Sequence, residues 1–157
     1  MTNRKLPVSQ RGFTLIELLV VVAIIGLLTS VISVSLVRQR IKTRDTKRIT
    51  DMKQFKTGLD LYFTHANGYP SAGAWSVGST LTCDSIEIMR ISNDPAAPLY
   101  NYTYTPGGSS SAGCGGTVRT SYTLQFYMEN QAASYTMDED GVLRNSGGAV
   151  VSFDSLL

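Results

Sequence analysis

"RGFTLIELLVVVAIIGLLTSVISVSLV", residues 11–37, is the stretch whose reading decides the fold. From residue 18 to residue 37 it holds twenty consecutive uncharged residues. As a helix they reach roughly 30 Å, the depth of a bilayer's hydrocarbon core. One carboxylate, Glu17, stands at the start of the run, and Arg4, Lys5 and Arg11 precede it. Acidic groups in apolar segments are costly and tend to have a task. The junction between the basic leader and the run is Gly12-Phe13.

Working outward, charge is strongly segregated. Residues 38–66 carry eight Lys/Arg against Asp45, Asp51 and Asp60, a net of +5. Residues 67–157 carry Arg90, Arg119 and Arg144 against eight carboxylates, a net of −5. The formal +2 of the 157-residue chain therefore says little about partners. Two simple readings of the apolar run are a plain membrane anchor and a secretory signal peptide with Ser33-Val34-Ser35 as a small-x-small cleavage site. The signal-peptide reading fits poorly, because the run exceeds the usual apolar core and a carboxylate opens it. The charge rule for membrane orientation is strained as well. Arg38, Arg40, Lys42, Arg44, Lys47 and Arg48 follow the run and, by count, would face the cytoplasm.

The combination in residues 11–37 resembles the processing motif of the type IV pilins and the pseudopilins of type II secretion: basic leader, Gly12-Phe13, Glu17 and long apolar run. A looser resemblance continues to Pro70, and "LDLYFTHANGYP" looks like the helix ending of major pseudopilins and short pilins. The resemblance implies removal of residues 1–12 by a membrane-embedded prepilin peptidase, N-methylation of Phe13 and a role for Glu17 in filament assembly. It implies identical or related pilin subunits and an inner-membrane assembly machinery as partners. It also implies residence in the cytoplasmic membrane before assembly and in an extracytoplasmic or cell-surface filament after it. Val34 stands where many members have a helix-kinking proline, which leaves Gly26 and the serines at 30, 33 and 35 as the soft points.

Proline is absent between Pro7 and Pro70. Ile41, Ile49, Met52, Phe55, Leu59, Tyr62 and Phe63 recur at helical spacing, so one helix is expected from about Phe13 to His65. Residues 13–37 form its membrane-spanning, filament-core half and residues 38–66 its amphipathic half. Gly58 inside it marks a close packing contact, Gly68 a left-handed cap, and His65 a helix-end polar group. The basic "RQRIKTRDTKR" reads as a solvated face or a contact with acidic filament neighbours. Nucleic acid is disfavoured, because no aromatic residue lies between Arg38 and Arg48 for bases to stack on.

Residues 67–157 read as a small antiparallel sheet able to bury the helix stripe, giving an α+β class. Tyr100, Tyr102 and Tyr104 alternate along one strand; Val118, Tyr122, Leu124, Phe126 and Met128 face inward on another. Shorter strands are expected at 134–137, 142–143 and 149–153. "PGGSSSAGCGG" is loop by composition. If this part is exported, Cys83 and Cys114 pair as a disulfide; otherwise they are two small hydrophobes. "DEDG", residues 138–141, is a turn, and Asp138 and Asp140 are the one candidate pair for a metal. Calcium enters only through the resemblance, since major pseudopilins often bind it in C-terminal loops; an EF-hand is excluded by the spacing. "NYT" at Asn101 matches a glycosylation sequon within the expected strand. No nucleophile–base pair, phosphate-cradling glycine loop or metal-ligand cluster points to an enzyme. The alternative to a polymerising subunit is a single-pass anchored extracytoplasmic binding or enzymatic domain that does not polymerise.

Overall fold

The computed structural model describes residues 12–157, the side chains of 31–35 excepted. The leader up to residue 11 lies outside the described residues, as do the side chains of Ser33, Val34 and Ser35. A helix, α1, runs from Leu15 to Ala66 without a break at Gly26 or Gly58. The chain divides into two compact units, one ending at Gln39 and the other spanning Arg40–Leu157.

Over residues 18–28 of the first unit α1 is apolar on every side. Leu15, Ile16, Leu18, Leu19, Val20, Val21, Val22, Ile24, Ile25, Leu27, Leu28, Leu36 and Val37 are all exposed. Two of its hydroxyls are satisfied within the helix: Thr29 Oγ1 donates to the Ile25 carbonyl, and Ser30 Oγ to that of Leu27. Among the described residues, no helix is long and apolar enough to cross a membrane.

In the second unit the apolar positions of α1 become a stripe. Ile49, Met52, Phe55, Leu59, Tyr62 and Ala66 are buried, at steps of three and four that keep them on one face. Phe63, expected in that stripe, is mostly outside it and leans on Tyr69 with ring centroids 5.0 Å apart. The stripe joins one core with alternate residues of the sheet. Gly58 has Met89 packed so closely over it that a Cβ would overlap that side chain.

Helix α1 ends differently from expectation. Asn67, not Gly68, takes the left-handed conformation (φ 53°), and its N–H donates to the Phe63 carbonyl at 2.8 Å. Asparagine tolerates this region because its short side chain costs little there. Gly68 serves close approach instead, since a Cβ would lie 2.6 Å from Val118 Cγ2.

The larger sheet is antiparallel and centred on β5 (Gly116–Met128). On it pair β1 (Tyr69–Pro70), β4 (Thr103–Gly113) and β6 (Ala133–Asp138); β7 (Leu143–Asn145) and β8 (Val150–Val151) extend the far side. Along β5, Val118, Tyr122, Leu124, Phe126 and Met128 are buried, as the alternation predicts. The "PGGSSSAG" stretch is strand, not loop, because it pairs with β5 from Thr103↔Gln125 to Gly113↔Gly116. Ladder hydrogen bonding overrides its weak composition, and the misfit is confined to a register shift between Gly107 and Ser110. The hairpin closes through Cys114 and Gly115, both at positive φ, the backbone a two-residue primed turn requires.

A second, two-stranded sheet of β2 (Thr80–Cys83) and β3 (Ile86–Arg90) has no counterpart in the sequence reading. A disulfide between Cys83 and Cys114 ties this hairpin to the β4–β5 turn, with Cα atoms 4.9 Å apart and a sequence separation of 31. Closing a loop of that length constrains the unfolded chain by roughly 3–4 kcal/mol. The Cys83→Ser/Cys114→Ser protein is expected to lose about that much stability. Denaturant unfolding followed by the fluorescence of Trp75, the chain's one tryptophan, checks it; an unchanged midpoint would show that the bond contributes only locally.

Candidate functional site

The start of α1 is a capping box. Glu17 Oε2 accepts the Thr14 N–H at 3.0 Å and the Thr14 hydroxyl at 2.8 Å, while Thr14 Oγ1 accepts the Glu17 N–H at 3.3 Å. Thr14 and Glu17 thereby satisfy backbone donors that a helix start leaves open. Glu17 is also held near the positive end of the helix dipole. Both Thr14 bonds land on the same carboxylate oxygen. Among the described residues Oε1 accepts none, and Phe13 and Glu17 are both exposed. The signal for Thr14 was in the sequence as T-x-x-E, a pattern that fixes where the helix begins.

A second cluster lies at residues 44–51 of α1. Arg48 is fully buried and grips the Asp94 carboxylate with two donors, Nε at 2.7 Å and Nη2 at 2.8 Å. Its Nη1 reaches Asp45 at 2.6 Å and Glu129 at 2.7 Å, and its guanidinium lies 5.4 Å from the Tyr100 ring centre. Arg44 grips Glu129 from the other side. Asp45 in turn accepts the backbone N–H groups of Glu129 and Asn130. Asp51 takes Lys47 and the buried Tyr102 hydroxyl, both at 2.8 Å.

Burial opposes the charge on Arg48, but its bonds to Asp94, Glu129 and Asp45 outweigh it and raise the guanidinium's pKa. The Arg44 bond, followed by that of Arg48, holds Glu129 below the usual carboxylate value against the cost of burial. Burial first, then the bond to Asp51, pushes the Tyr102 hydroxyl well up. Three of the six cations that follow the apolar run are thus ion-paired within the chain, Arg48 buried, Arg44 half-buried and Lys47 exposed. The expectation of a solvated basic face fails for the buried Arg48 and in part for Arg44, which pair with Asp94 and Glu129 of residues 67–157, while Lys47 stays exposed.

Comparison with known proteins settles which feature identifies the chain. Residues 8–33, which contain Gly12, Phe13 and Glu17, match the family described as the prokaryotic N-terminal methylation motif. This match and the curated relatives support kinship with the type IV pilin and pseudopilin superfamily. Its relatives in that superfamily include proteins named type II secretion system core protein G. The protein of Pectobacterium carotovorum subsp. carotovorum is 39% identical over 62 residues, covering 40% of each chain. Those of Escherichia coli K12 and Vibrio cholerae serotype O1 are each 37% identical over 63 residues, 40% of this chain and 43% of theirs. The chain spans about two fifths of the length of the curated relatives it matches. No solved structure matches it.

Kinship with pseudopilins raises calcium at the 138–141 turn, and the residues there do not fit it. Asp138 Oδ1 accepts the Val142 N–H at 2.8 Å, closing the turn on itself. The Glu139 carbonyl accepts Lys56 Nζ at 3.2 Å, so a cation of the chain already stands there. Among the described residues, no three His, Cys, Asp or Glu side chains converge on a common point suited to a metal. Asp138 ends β6 and closes the turn, and Asp140 lies within it.

Proposed function

We propose that this chain is a non-enzymatic structural subunit that polymerises into a type II secretion pseudopilus or a closely related type IV pilus. The observation that carries the reading is the first half of α1, a helix apolar on all sides that opens on the Thr14–Glu17 capping box. A helix with no polar face needs lipid or other helices around it. In the proposed sequence of events it has both in turn: the cytoplasmic membrane first, then the core of a filament built from equivalent helices. The relatives' name favours the secretion pseudopilus over the pilus.

In this reading residues 1–12 are a leader, 13–37 the membrane and filament-core helix, 38–66 its amphipathic continuation and 67–157 the head. Cleavage between Gly12 and Phe13 by a prepilin peptidase frees an α-amine on Phe13, cationic or nearly so at neutral pH and then N-methylated. Glu17 offers that amine, or the amine of a neighbouring subunit, a carboxylate oxygen that Thr14 does not use. Pairing removes the cost of an isolated charge in an apolar setting.

Intact mass and sheared-filament fractionation test the proposal together. The subunit recovered from sheared polymer is expected to begin at Phe13 and carry one added methyl group. A chain that retains residues 1–12, or that stays in the membrane and never enters a sheared polymer, would instead establish an anchored, non-polymerising domain.

A further inference from the structure

The turn after β6 is built around a lysine. Lys56, on α1, places its ammonium 2.8 Å and 3.1 Å from the two Asp60 carboxylate oxygens and 3.2 Å from the Glu139 carbonyl. Its stem lies on Gly141, where a Cβ would come within 2.8 Å of Lys56 Cε and where φ is +79°. Gly141 is thus required by its backbone conformation, and its missing side chain gives the lysine stem room. Below the ammonium the turn closes itself, Gly141 N–H to the Asp138 carbonyl at 2.9 Å and Val142 N–H to Asp138 Oδ1 at 2.8 Å. Glu139 and Asp140 leave this corner acidic, with Asp60 facing it from the helix.

Carbonyl and carboxylate oxygens gathered at an acidic turn are the surroundings in which proteins place a hard divalent cation. Here one positive charge, covalently supplied by α1, has the same oxygen ligands. We propose that the Lys56 ammonium is an internal cation that locks the 138–142 turn to α1, and that the head therefore folds and holds this turn without calcium. An attached cation needs no external concentration and cannot be chelated away. An ion bound to the folded state stabilises it by an amount that grows with the logarithm of its concentration over its dissociation constant and vanishes when the ion is removed. The consequence for assembly, that filaments of this subunit persist in chelator, rests on the function proposed above. The folding consequence does not.

The test uses the full chain in detergent micelles, with thermal unfolding and amide hydrogen exchange measured in EDTA and in calcium chloride. The wild-type melting temperature, and the exchange of the Gly141 and Val142 amides, are expected to be the same in both. Lys56→Met keeps the stem over Gly141 and removes the charge. It is expected to lower the melting temperature and to speed exchange at Gly141 and Val142 several-fold, while amides at the centre of β5 stay protected. Lys56→Arg, which keeps the charge, is expected to restore most of that protection. A wild-type protein that melts earlier in EDTA, or turn amides that slow when calcium is added, would overturn the proposal. So would a Lys56→Met protein whose turn exchanges like wild type. None of these results would bear on whether the chain polymerises.

Discussion

Replacing Glu17 with leucine is expected to leave the chain in the membrane fraction and to cut the yield of sheared filament at least tenfold. The two halves of this expectation have separate causes. Insertion improves when a carboxylate is exchanged for an apolar group. Processing after Gly12 continues, because the altered side chain lies four residues beyond the scissile bond. Assembly is expected to fail because the carboxylate proposed to pair with the Phe13 amine is gone, while nonspecific apolar packing persists. A tenfold loss corresponds to about 1.4 kcal/mol per contact, well within the range of a charge pair in apolar surroundings. The structure adds a confound, since Glu17 also caps its own helix through Thr14. Losing such a cap costs about 0.5–2 kcal/mol locally. Thr14→Val separates the effects: it removes the hydroxyl from the box and keeps the carboxylate, so it should assemble. Normal filament yield from Glu17→Leu would end the assembly role, and failure of Thr14→Val equal to that of Glu17→Leu would reassign the effect to capping.

The second large effect is expected at Arg48. In Arg48→Met the methionine keeps part of the volume and leaves Asp94 buried without its cation, beside Asp45 and Glu129. Removing one partner of a buried ion pair typically destabilises by about 3–5 kcal/mol, because the stranded charges stay behind. That is a large fraction of the roughly 5–15 kcal/mol by which domains are stable. Denaturant unfolding followed at Trp75, which stacks on Tyr104 at 4.6 Å, reads the loss. The pH dependence has a definite sign. Glu129 titrates below the usual carboxylate value in the fold, so its contribution is complete at neutral pH. It is lost as pH falls through that lowered value. In Arg48→Met one of the two cations that hold Glu129 down is gone, so the mutant has less of this contribution to lose and the stability gap to wild type should narrow on acidification. A gap that widens on acidification would mean that Arg48 acts by packing, not by charge.

The sequence showed most clearly what local periodicity controls. The apolar stripe of α1 from Ile49 to Tyr62 and the alternation of β5 each encode one face in a repeat of fixed length, and both are buried as expected. Cys83 and Cys114 could be paired on chemistry alone once export was assumed. What escaped depends on partners distant in the chain. The Gly/Ser-rich part of β4 is strand only because β5 supplies its ladder, and β2–β3 pair only with each other. Arg44 and Arg48 look like surface cations until the backbone brings Asp94 and Glu129 onto the helix. At the helix end Gly68 was the expected left-handed residue, but Asn67 takes that position and Gly68 lies against Val118. At the N-terminus, Gly12, Phe13 and Glu17 were legible as a motif, whereas Thr14, which completes the cap, was hidden inside it.

The position of β5 in the larger sheet also sets a timetable. β1 and β4 find their ladder partners on β5 alone, and β6 also pairs with it. The apolar stripe of α1 is complete by Ala66, yet the strand that covers it ends at Met128. At synthesis rates of about 5–20 residues per second, that gap leaves the stripe uncovered for roughly 3–12 s on every nascent chain. Over this interval the growing polypeptide presents greasy helix without its lid, however stable the finished head is. A cell making many copies must therefore shield the emerging chain, and slowing translation between residues 66 and 128 would lengthen the hazard without altering the folded product.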